Sequence, residues 1–274
     1  MIFRMLILFF GIACFCAGHA FAQSHPPGVI KEDPALTALV DATGFQGTVL
    51  VYDVKAKQYD AGHAERANLP LIPASTFKVF STLAALESGV IAGADAVIPW
   101  DGMVRSRSEL NQDLTLQRAF ALSAVPHYQE MVQRIGHLRM QHYIDAVGYG
   151  NRDISGGDDS FWLEGNLRIS PVQQIDFLKR LYENTLPFRP EVMDTTKAIM
   201  VSEQTPQYTL RSKTGLAILP GQHNVGWWIG WVEKGEDVTF FATALEAVDP
   251  DVSFLATRLN LARQSLVHLG VLPE

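Results

Sequence analysis

The chain has 274 residues, of which 47% are hydrophobic and 19% charged, so it is long enough and apolar enough to bury a large core. Its formal net charge of −7 at pH 7 argues against nucleic acid as the main partner, because binding a phosphate backbone requires a basic surface. The sequence shows neither a low-complexity tract nor a repeat of fixed period.

The first 22 residues have the pattern of a secretory signal peptide. Arg4 precedes an apolar run over residues 6–17, and small residues at Ala20 and Ala22 occupy the positions that a signal peptidase reads. The run is short for a membrane span of ~20 residues and no basic flank follows it, which disfavours the alternative of a membrane anchor. We therefore expect cleavage after Ala22 and export to the periplasm, with a secreted form or a lipoprotein ending at Cys14 as the alternatives.

Both cysteines, Cys14 and Cys16, lie within this signal, so the mature chain is predicted to have none. An exported protein without cysteine cannot use a disulfide, a thiolate nucleophile or a cysteine-based metal site. Its stability must then come from a large core. After cleavage we expect no association with a membrane.

The mature chain, residues 23–274, begins with a polar stretch over residues 23–31 that predicts a loose entry segment. Helices are predicted from apolar residues at helical spacing, and strands from alternating or β-branched stretches. In chain order these are a helix at 33–41, a hairpin of 45–54 and 58–63, helices at 75–88, within 114–147, at 171–182 and at 189–201, strands at 208–214, 225–233 and 238–245, and a helix at 252–269.

The order of these elements predicts an α+β fold. We expect an antiparallel sheet of five to six strands, flanked by helices from both chain ends, with an all-helical subdomain inserted between them. In this interpretation residues 23–70 and 205–274 form the α/β part of a single domain, and residues 71–204 form its mainly helical part. A catalytic site is expected where the two parts meet.

Ser75 and Lys78 stand three residues apart at the predicted start of a helix, within the sequence Pro-Ala-Ser-Thr-Phe-Lys-Val. Residues with this spacing lie on one face of a helix and can touch. A serine hydroxyl becomes a good nucleophile when a base takes its proton, and a lysine can be that base if its charge is suppressed. Ser-x-x-Lys also occurs by chance, so the motif needs support from the rest of the chain.

A second motif, Lys213-Thr214-Gly215, stands at the end of a predicted strand about 140 residues later. The edge of such a strand offers a backbone N–H group, while the lysine and threonine offer a charge and a hydroxyl to a substrate carboxylate. Ser-x-x-Lys followed by Lys-Thr-Gly is the pair of motifs found in serine β-lactamases and penicillin-binding proteins.

Three further motifs lie between these two. In chain order they are Ser123-Ala124-Val125, Tyr149-Gly150-Asn151 and Phe161-Trp162-Leu163. With them the chain resembles the class D β-lactamases, or oxacillinases, a family marked by Ser-x-x-Lys, Ser-x-Val, Tyr-Gly-Asn, a loop tryptophan and Lys-Thr-Gly in that order. The resemblance covers essentially the whole mature chain and implies an enzyme that hydrolyses β-lactams and confers resistance to them.

Val125 stands where most penicillin-recognising enzymes have asparagine, and a hydrophobe there would desolvate Lys78 and disfavour its ammonium form. A neutral amine can react with carbon dioxide, and the resemblance implies that Lys78 is carboxylated to N6-carboxylysine. The modified side chain would be the general base, first for Ser75 and then for the hydrolytic water. The resemblance also implies that the indole N–H of Trp162 binds the carbamate. The apolar walls of this pocket are predicted to be Phe77, Val125 and Leu163.

The resemblance assigns the remaining roles by position. Ser123 would relay a proton to the departing lactam nitrogen, and the backbone N–H groups of Ser75 and Leu216 would form the oxyanion hole. For the substrate carboxylate the family has an arginine on the last helix; counting back from the terminal Leu-Gly gives Arg258, with Arg263 as the alternative. The substrate-binding residues are thus predicted to be Ser123, Val125, Lys213, Thr214, Gly215, Leu216 and Arg258.

The sequence offers less support for a metal site, a nucleotide site or another type of serine hydrolase. The histidines of the mature chain lack a metal-ligand spacing, and the sequence has neither a phosphate-binding glycine loop nor a Gly-x-Ser-x-Gly motif. We therefore expect no metal or nucleotide cofactor, only carbon dioxide or bicarbonate for Lys78, and a small-molecule β-lactam as the partner. The alternative functions are a penicillin-binding transpeptidase and a β-lactam sensor. Which β-lactam is preferred, and whether the protein forms a homodimer, are open questions at this point.

Overall fold

The computed structural model of the chain describes residues 29–219, 221, 223–248 and 253–273. The predicted signal peptide, with its two cysteines, lies outside the described residues. The strands are β1 (Ile30–Glu32), β2 (Gln46–Asp53), β3 (Gln58–Gly62), β4 (Val97–Ile98), β5 (Leu114–Thr115), β6 (Val201–Gln204), β7 (Thr209–Ala217), β8 (Asn224–Lys234) and β9 (Asp237–Ala247). The α-helices are α1 (Pro34–Asp41), α2 (Lys78–Glu87), α3 (Leu116–Ala121), α4 (Val125–Ile135), α5 (His137–Val147), α6 (Pro171–Tyr182), α7 (Pro190–Ile199) and α8 (Ser253–His268).

Seven strands form one sheet in the order β1-β3-β2-β9-β8-β7-β6. Strands from the beginning of the chain meet strands from its end at the pair β2–β9. Neighbouring strands are antiparallel except β1 and β3, which are parallel. The predicted α+β class, with a sheet built from both ends of the chain, is confirmed.

The predicted number of strands, five to six and all antiparallel, is wrong because two edge strands are missing from it. β1 begins where a loose segment is predicted, and β6 begins at Val201, the last residue of the predicted helix, and continues through residues for which no element is predicted. Both strands are short and mostly exposed, so they have no buried face to impose an alternating pattern, and main-chain pairing holds them. The inserted part is also not entirely helical, since β4 pairs with β5.

Hydrophobic side chains cover both faces of the sheet. Along β8 successive side chains point to opposite faces, so Trp227 joins a cluster with α2, α4 and α6, whereas Trp228 joins a cluster with α1 and α8. The first cluster makes α2 a buried helix, in which every side chain from Lys78 to Leu86 is buried. In the described part of the chain, no helix is long and apolar enough to cross a membrane.

The predicted helix at Ser75 begins as a 3₁₀ turn, Ala74–Phe77, and becomes α-helical at Lys78. We refer to Ala74–Phe77 as the Ser75 turn. It lies against β7, and the Trp227 indole N–H on β8 donates to the carbonyl of Ile72 over 2.8 Å just before it. The sheet and the inserted part thus meet at Ser75.

Candidate active site

Ser75 and Lys78 are in contact where the Ser75 turn passes into α2. The Lys78 Nζ donates a hydrogen bond to Ser75 Oγ over 2.8 Å, as their three-residue spacing predicts. Ser75 is 8% exposed, whereas Lys78 is fully buried. Burial, followed by the charge of Lys213, holds the pKa of Lys78 well below its usual range. The surroundings therefore favour the neutral amine.

One aromatic ring lies beside the amine of Lys78, and two more stack next to this residue. The Tyr128 ring centroid, on α4, lies 5.2 Å from the Nζ. The ring of Phe77, the residue next to Lys78, stacks on Trp162 with 5.4 Å between centroids. The indole N–H of Trp162 is buried and has no hydrogen-bond partner among the residues that the structure describes. A buried donor without a partner is costly, so this N–H marks a place where an acceptor can bind.

Ser123 lies in the short connection between α3 and α4 and has a left-handed backbone, with φ of +53°. A non-glycine residue in this region is strained, and such residues are concentrated at functional sites. Its Oγ accepts a hydrogen bond from the Lys213 Nζ over 3.0 Å. The half-buried Val125 is the first residue of α4, two positions further on. The structure thus joins the Ser-x-Val motif to the Lys-Thr-Gly motif.

Lys213 is buried on β7 and bonded to oxygen atoms. Besides Ser123, its Nζ donates to the Thr214 carbonyl over 3.1 Å and lies 3.4 Å from the Thr214 hydroxyl oxygen. Burial, followed by the charge of Arg258, lowers the pKa of Lys213 to about 7. The lysine can therefore gain or lose its proton near neutral pH.

Gly215 lets β7 approach the Ser75 turn. A Cβ at this position would lie 3.0 Å from the Pro73 carbonyl oxygen and 3.1 Å from the Thr76 methyl group, so a side chain here would require its neighbours to move by a few tenths of an ångström. Leu216, whose N–H is predicted to belong to the oxyanion hole, follows directly on the same strand. The glycine of the Lys-Thr-Gly motif therefore favours close packing of β7 on the Ser75 turn.

Of the two arginines proposed for the substrate carboxylate, the structure brings Arg258 to β7. Arg258 is 8% exposed, its guanidinium donates to the Gly215 carbonyl, and burial lowers its pKa to about 10. Arg263 instead pairs with Glu203 and lies near the Trp228 ring, with 5.8 Å from its guanidinium carbon to the ring centroid. The two residues are five positions apart, so α8 directs them differently.

The Tyr149-Gly150-Asn151 motif fixes the loop that carries Trp162. Asn151 exchanges two hydrogen bonds with Arg168, from its N–H to the Arg168 carbonyl and from the Arg168 N–H to its Oδ1, each of 2.9 Å. Gly150 has φ of +55°, and a Cβ there would clash with the Arg168 carbonyl oxygen at 2.0 Å. The motif thus holds together the two ends of a loop in which Trp162 lies.

Sequence reasoning misses two aromatic residues of the site. Tyr128 follows Val125 by three residues on α4, and this helical spacing could have indicated it. Phe120, on α3, lies under the amine of Lys213, with 5.5 Å from its ring centroid to Nζ. Within the described ranges, no group of three or more His, Cys, Asp or Glu side chains could hold a metal ion.

Comparisons with known proteins agree with this arrangement. The model of the penicillin binding protein transpeptidase domain matches residues 46–264. Beta-lactamase OXA-10 of Pseudomonas aeruginosa is 40% identical over 217 residues, which cover 78% of this chain and 82% of that protein. The regulatory protein BlaR1 of Bacillus licheniformis is 34% identical over 220 residues, 80% of this chain but 36% of that protein.

A solved structure gives the same result. The crystal structure of the class D β-lactamase YbXI from Nostoc superimposes with a TM-score of 0.83 at 42% sequence identity. The match covers 86% of this chain and 99% of that one. Sequence, fold and relatives together show that this chain belongs to the class D β-lactamases, serine enzymes that hydrolyse β-lactams.

Proposed function

We propose that this enzyme hydrolyses penicillins and oxacillin-type β-lactams through an acyl-enzyme on Ser75, with carboxylated Lys78 as the general base. The observation that carries the proposal is the fully buried Lys78 amine 2.8 Å from Ser75 Oγ. Because burial holds the pKa of this amine well below the usual range, its uncharged form is favoured beside the hydroxyl. An uncharged amine is the form that adds carbon dioxide.

The residues around Lys78 suit a carbamate. A negative group in a buried place needs hydrogen-bond donors, and the Trp162 indole N–H is a buried donor without a partner in the described part of the chain. We expect Trp162 and Ser75 to hold the group. Once formed, it would supply a negatively charged base where the unmodified side chain offers only a neutral amine.

Ser75 and Ser123 would act on the two atoms of the lactam amide bond. Ser75 Oγ attacks the carbonyl carbon as its proton leaves, and the C–N bond breaks when Ser123 gives a proton to the nitrogen. The 3.0 Å hydrogen bond from Lys213 supports this role, because it can return a proton to Ser123. Water then hydrolyses the ester and releases Ser75.

The sheet side would bind the charged parts of the substrate. The backbone N–H groups of Ser75 and Leu216 form the proposed oxyanion hole, and losing one such donor costs about 10²–10³ in rate in other enzymes. Lys213, Thr214 and Gly215 bind the substrate carboxylate together with Arg258. The contact of Arg258 with the Gly215 carbonyl supports its inclusion.

A β-lactam sensor is the second candidate, because BlaR1 is a regulatory protein and matches 80% of this chain. A sensor and a transpeptidase would both keep the acyl group on Ser75, whereas a hydrolase would release it. OXA-10, a β-lactamase, is 40% identical to the present chain and BlaR1 is 34% identical, and this difference favours the hydrolase.

The test is to mix the purified mature protein with a penicillin and to follow product release and covalent mass together. Repeated turnover with a transient adduct on Ser75 supports the proposal. A long-lived adduct at one equivalent, without further turnover, contradicts it in favour of a sensor or transpeptidase. Incubation with ¹³C-bicarbonate should give a carbamate signal that Lys78→Ala loses.

We also infer export to the periplasm, from residues 1–22, and resistance of the host to β-lactams. N-terminal sequencing of protein from the periplasmic fraction should begin at Gln23. A mature chain that begins at Met1, or that remains in the cytoplasm, contradicts the export signal.

A further inference from the structure

The backbone of the Ser75 turn is strained directly before the nucleophile. Ala74 has φ of +50°, a left-handed conformation that is unfavourable for an alanine. Such a conformation persists only where the surrounding structure imposes it. The groups that hold this turn therefore determine where the Ser75 N–H points.

Within the turn, Thr76 closes the chain back on Pro73. Its backbone N–H donates to the Pro73 carbonyl over 3.2 Å, and its hydroxyl donates to the same oxygen over 2.7 Å. The single hydroxyl proton of Thr76 is thereby used. Its Oγ1 can bind further groups only as an acceptor.

Gln174, on α6, supplies the donor that this acceptor needs. Its Nε2 donates to Thr76 Oγ1 over 2.8 Å, although the two residues are 98 positions apart in the chain. Both side chains are fully buried. This bond connects α6 directly to the residue that follows Ser75.

The other end of the Gln174 amide is poorly satisfied. Its Oε1 and the hydroxyl of Tyr149 are both buried and have no hydrogen bond of normal length and angle in the described structure. A buried amide whose oxygen lacks such a bond contributes less to stability than a fully paired one. In the described structure the bond from Nε2 to Thr76 is therefore the well-formed hydrogen bond of this amide.

β7 packs against the same turn. Gly215 lies against the Pro73 carbonyl and the Thr76 methyl group, so the strand and α6 both contact the turn at Thr76. The two N–H groups of the proposed oxyanion hole come from these two elements, Ser75 from the turn and Leu216 from the strand. Their separation depends on how the turn is seated against β7.

We propose that Gln174 is a positioning residue that, through Thr76, seats the Ser75 turn against β7 and sets the geometry of the oxyanion hole. This inference rests on the proposed acyl-enzyme mechanism. Because the same hole serves formation and hydrolysis of the acyl-enzyme, loss of the bond slows both steps. A displacement of 1 Å or less can cost up to about 10² in rate.

The test compares Gln174→Leu and Thr76→Val with Thr196→Val as the matched control. Thr196 is equally buried and its hydroxyl donates within α7 over 2.9 Å, so its removal reports the cost of a buried hydrogen bond away from the site. Acylation and deacylation rate constants are measured per active site titrated with a penicillin. We expect both to fall about ten- to hundredfold in the first two variants and to stay unchanged in the control, with Thr76→Ser close to the parent enzyme.

Two further measurements, on the double variant and with added bicarbonate, test whether Gln174 acts through Thr76 and independently of Lys78. Gln174→Leu combined with Thr76→Val should be no slower than the worse single variant, because each single variant already removes the bond between Gln174 and Thr76. Bicarbonate should restore none of the lost rate, since Lys78 is not affected. The inference is overturned if bicarbonate restores the rate, or if the losses of the two single variants add up in the double variant. It is also overturned if the rate constants are unchanged and only the melting temperature falls. If Gln174→Leu does not fold, Thr76→Val decides. Failure of the proposed mechanism is recognised separately, as absence of a Ser75 adduct in the parent enzyme.

Discussion

The site has a helical side and a sheet side, and each contributes a buried lysine. Lys78 on the helical side lies beside an aromatic ring and bonds to Ser75, whereas Lys213 on the sheet side bonds to Ser123 and to Thr214. Burial lowers the pKa of both amines, to about 7 for Lys213 and well below the usual range for Lys78. The two lysines are thus almost equally buried, but their neighbours differ, and we expect them to have different roles.

The proposed mechanism needs different charges on the two amines. In it Lys78 is neutral when it adds carbon dioxide, while Lys213 is protonated when it binds a carboxylate. Oxygen acceptors around Lys213 favour its ammonium form, and a bound substrate carboxylate would raise its pKa further. The helical side offers Lys78 fewer acceptors. Substitutions on the helical side should therefore lower turnover, whereas substitutions on the sheet side should raise KM.

The largest loss of activity is expected from substitutions on the helical side. Lys78→Ala should lose turnover by at least about 10²–10⁴, the usual contribution of a general base, and residual acylation should leave a trapped adduct. Ser75→Ala should form no adduct at all. Intact-protein mass after exposure to a penicillin distinguishes the two. Multiple turnovers by Lys78→Ala would remove this lysine from the mechanism.

Trp162→Phe keeps an aromatic ring on Phe77 and removes only the indole N–H. We expect kcat to fall about tenfold, because the carbamate loses one donor worth about 1.5 kcal/mol, and bicarbonate to restore most of it. The half-saturating bicarbonate concentration measures the effect. Phe161→Leu is the matched control, since it changes packing next to the indole without changing a donor. Equal bicarbonate dependence in both variants would contradict the role of Trp162.

Substitutions on the sheet side are expected to change KM. Arg258→Met should raise KM about ten- to hundredfold, whereas Arg263→Met, which loses only the pair with Glu203, should leave KM unchanged. In the parent enzyme KM should rise above pH 7, as Lys213 loses its proton. Because the Arg258 charge lowers the pKa of Lys213, the rise should begin at higher pH in Arg258→Met. Steady-state kinetics across pH 6–9 checks both expectations, and the reverse ranking of the two arginines would contradict them.

The smallest effect concerns stability. The pKa of Lys213 is about 7 in the folded chain and ~10.4 in an unfolded one, so between these values the unfolded chain holds a proton that the folded chain has released. Raising the pH from 7 to 10 should therefore increase the free energy of unfolding. Lys213→Met should flatten this rise, and Lys55→Met, at an 81% exposed side chain, should not. Urea unfolding across this range is the measurement, and equal slopes would contradict the shift.

Much of the fold could be predicted because its central elements are strongly patterned. α6, β8 and β9 are long and apolar at the right spacing, and all three lie within one or two residues of their predicted bounds. The edge strands β1 and β6 could not be predicted, because pairing of their main chains, rather than a buried face, makes them strands. The short pair β4–β5 has the same origin.

Contacts within one turn of helix follow from the sequence, and this explains why Ser75 and Lys78 could be paired at once. Their spacing and the periodicity of the backbone determine the contact before any packing is known. Counting back from the terminal Leu-Gly favoured Arg258 over Arg263, but the orientation of α8 on the sheet decides which of them reaches Gly215.

The order of the motifs, the family and the contact of Ser75 with Lys78 follow from the sequence alone. The meeting of distant groups depends on tertiary packing: Lys213 with Ser123, 90 residues apart, and Gln174 with Thr76, 98 residues apart. The same packing lowers the pKa of the two lysines. Desolvation depends on every side chain packed around an amine, and those side chains come from α2, α4, β7 and the loop of Trp162 together.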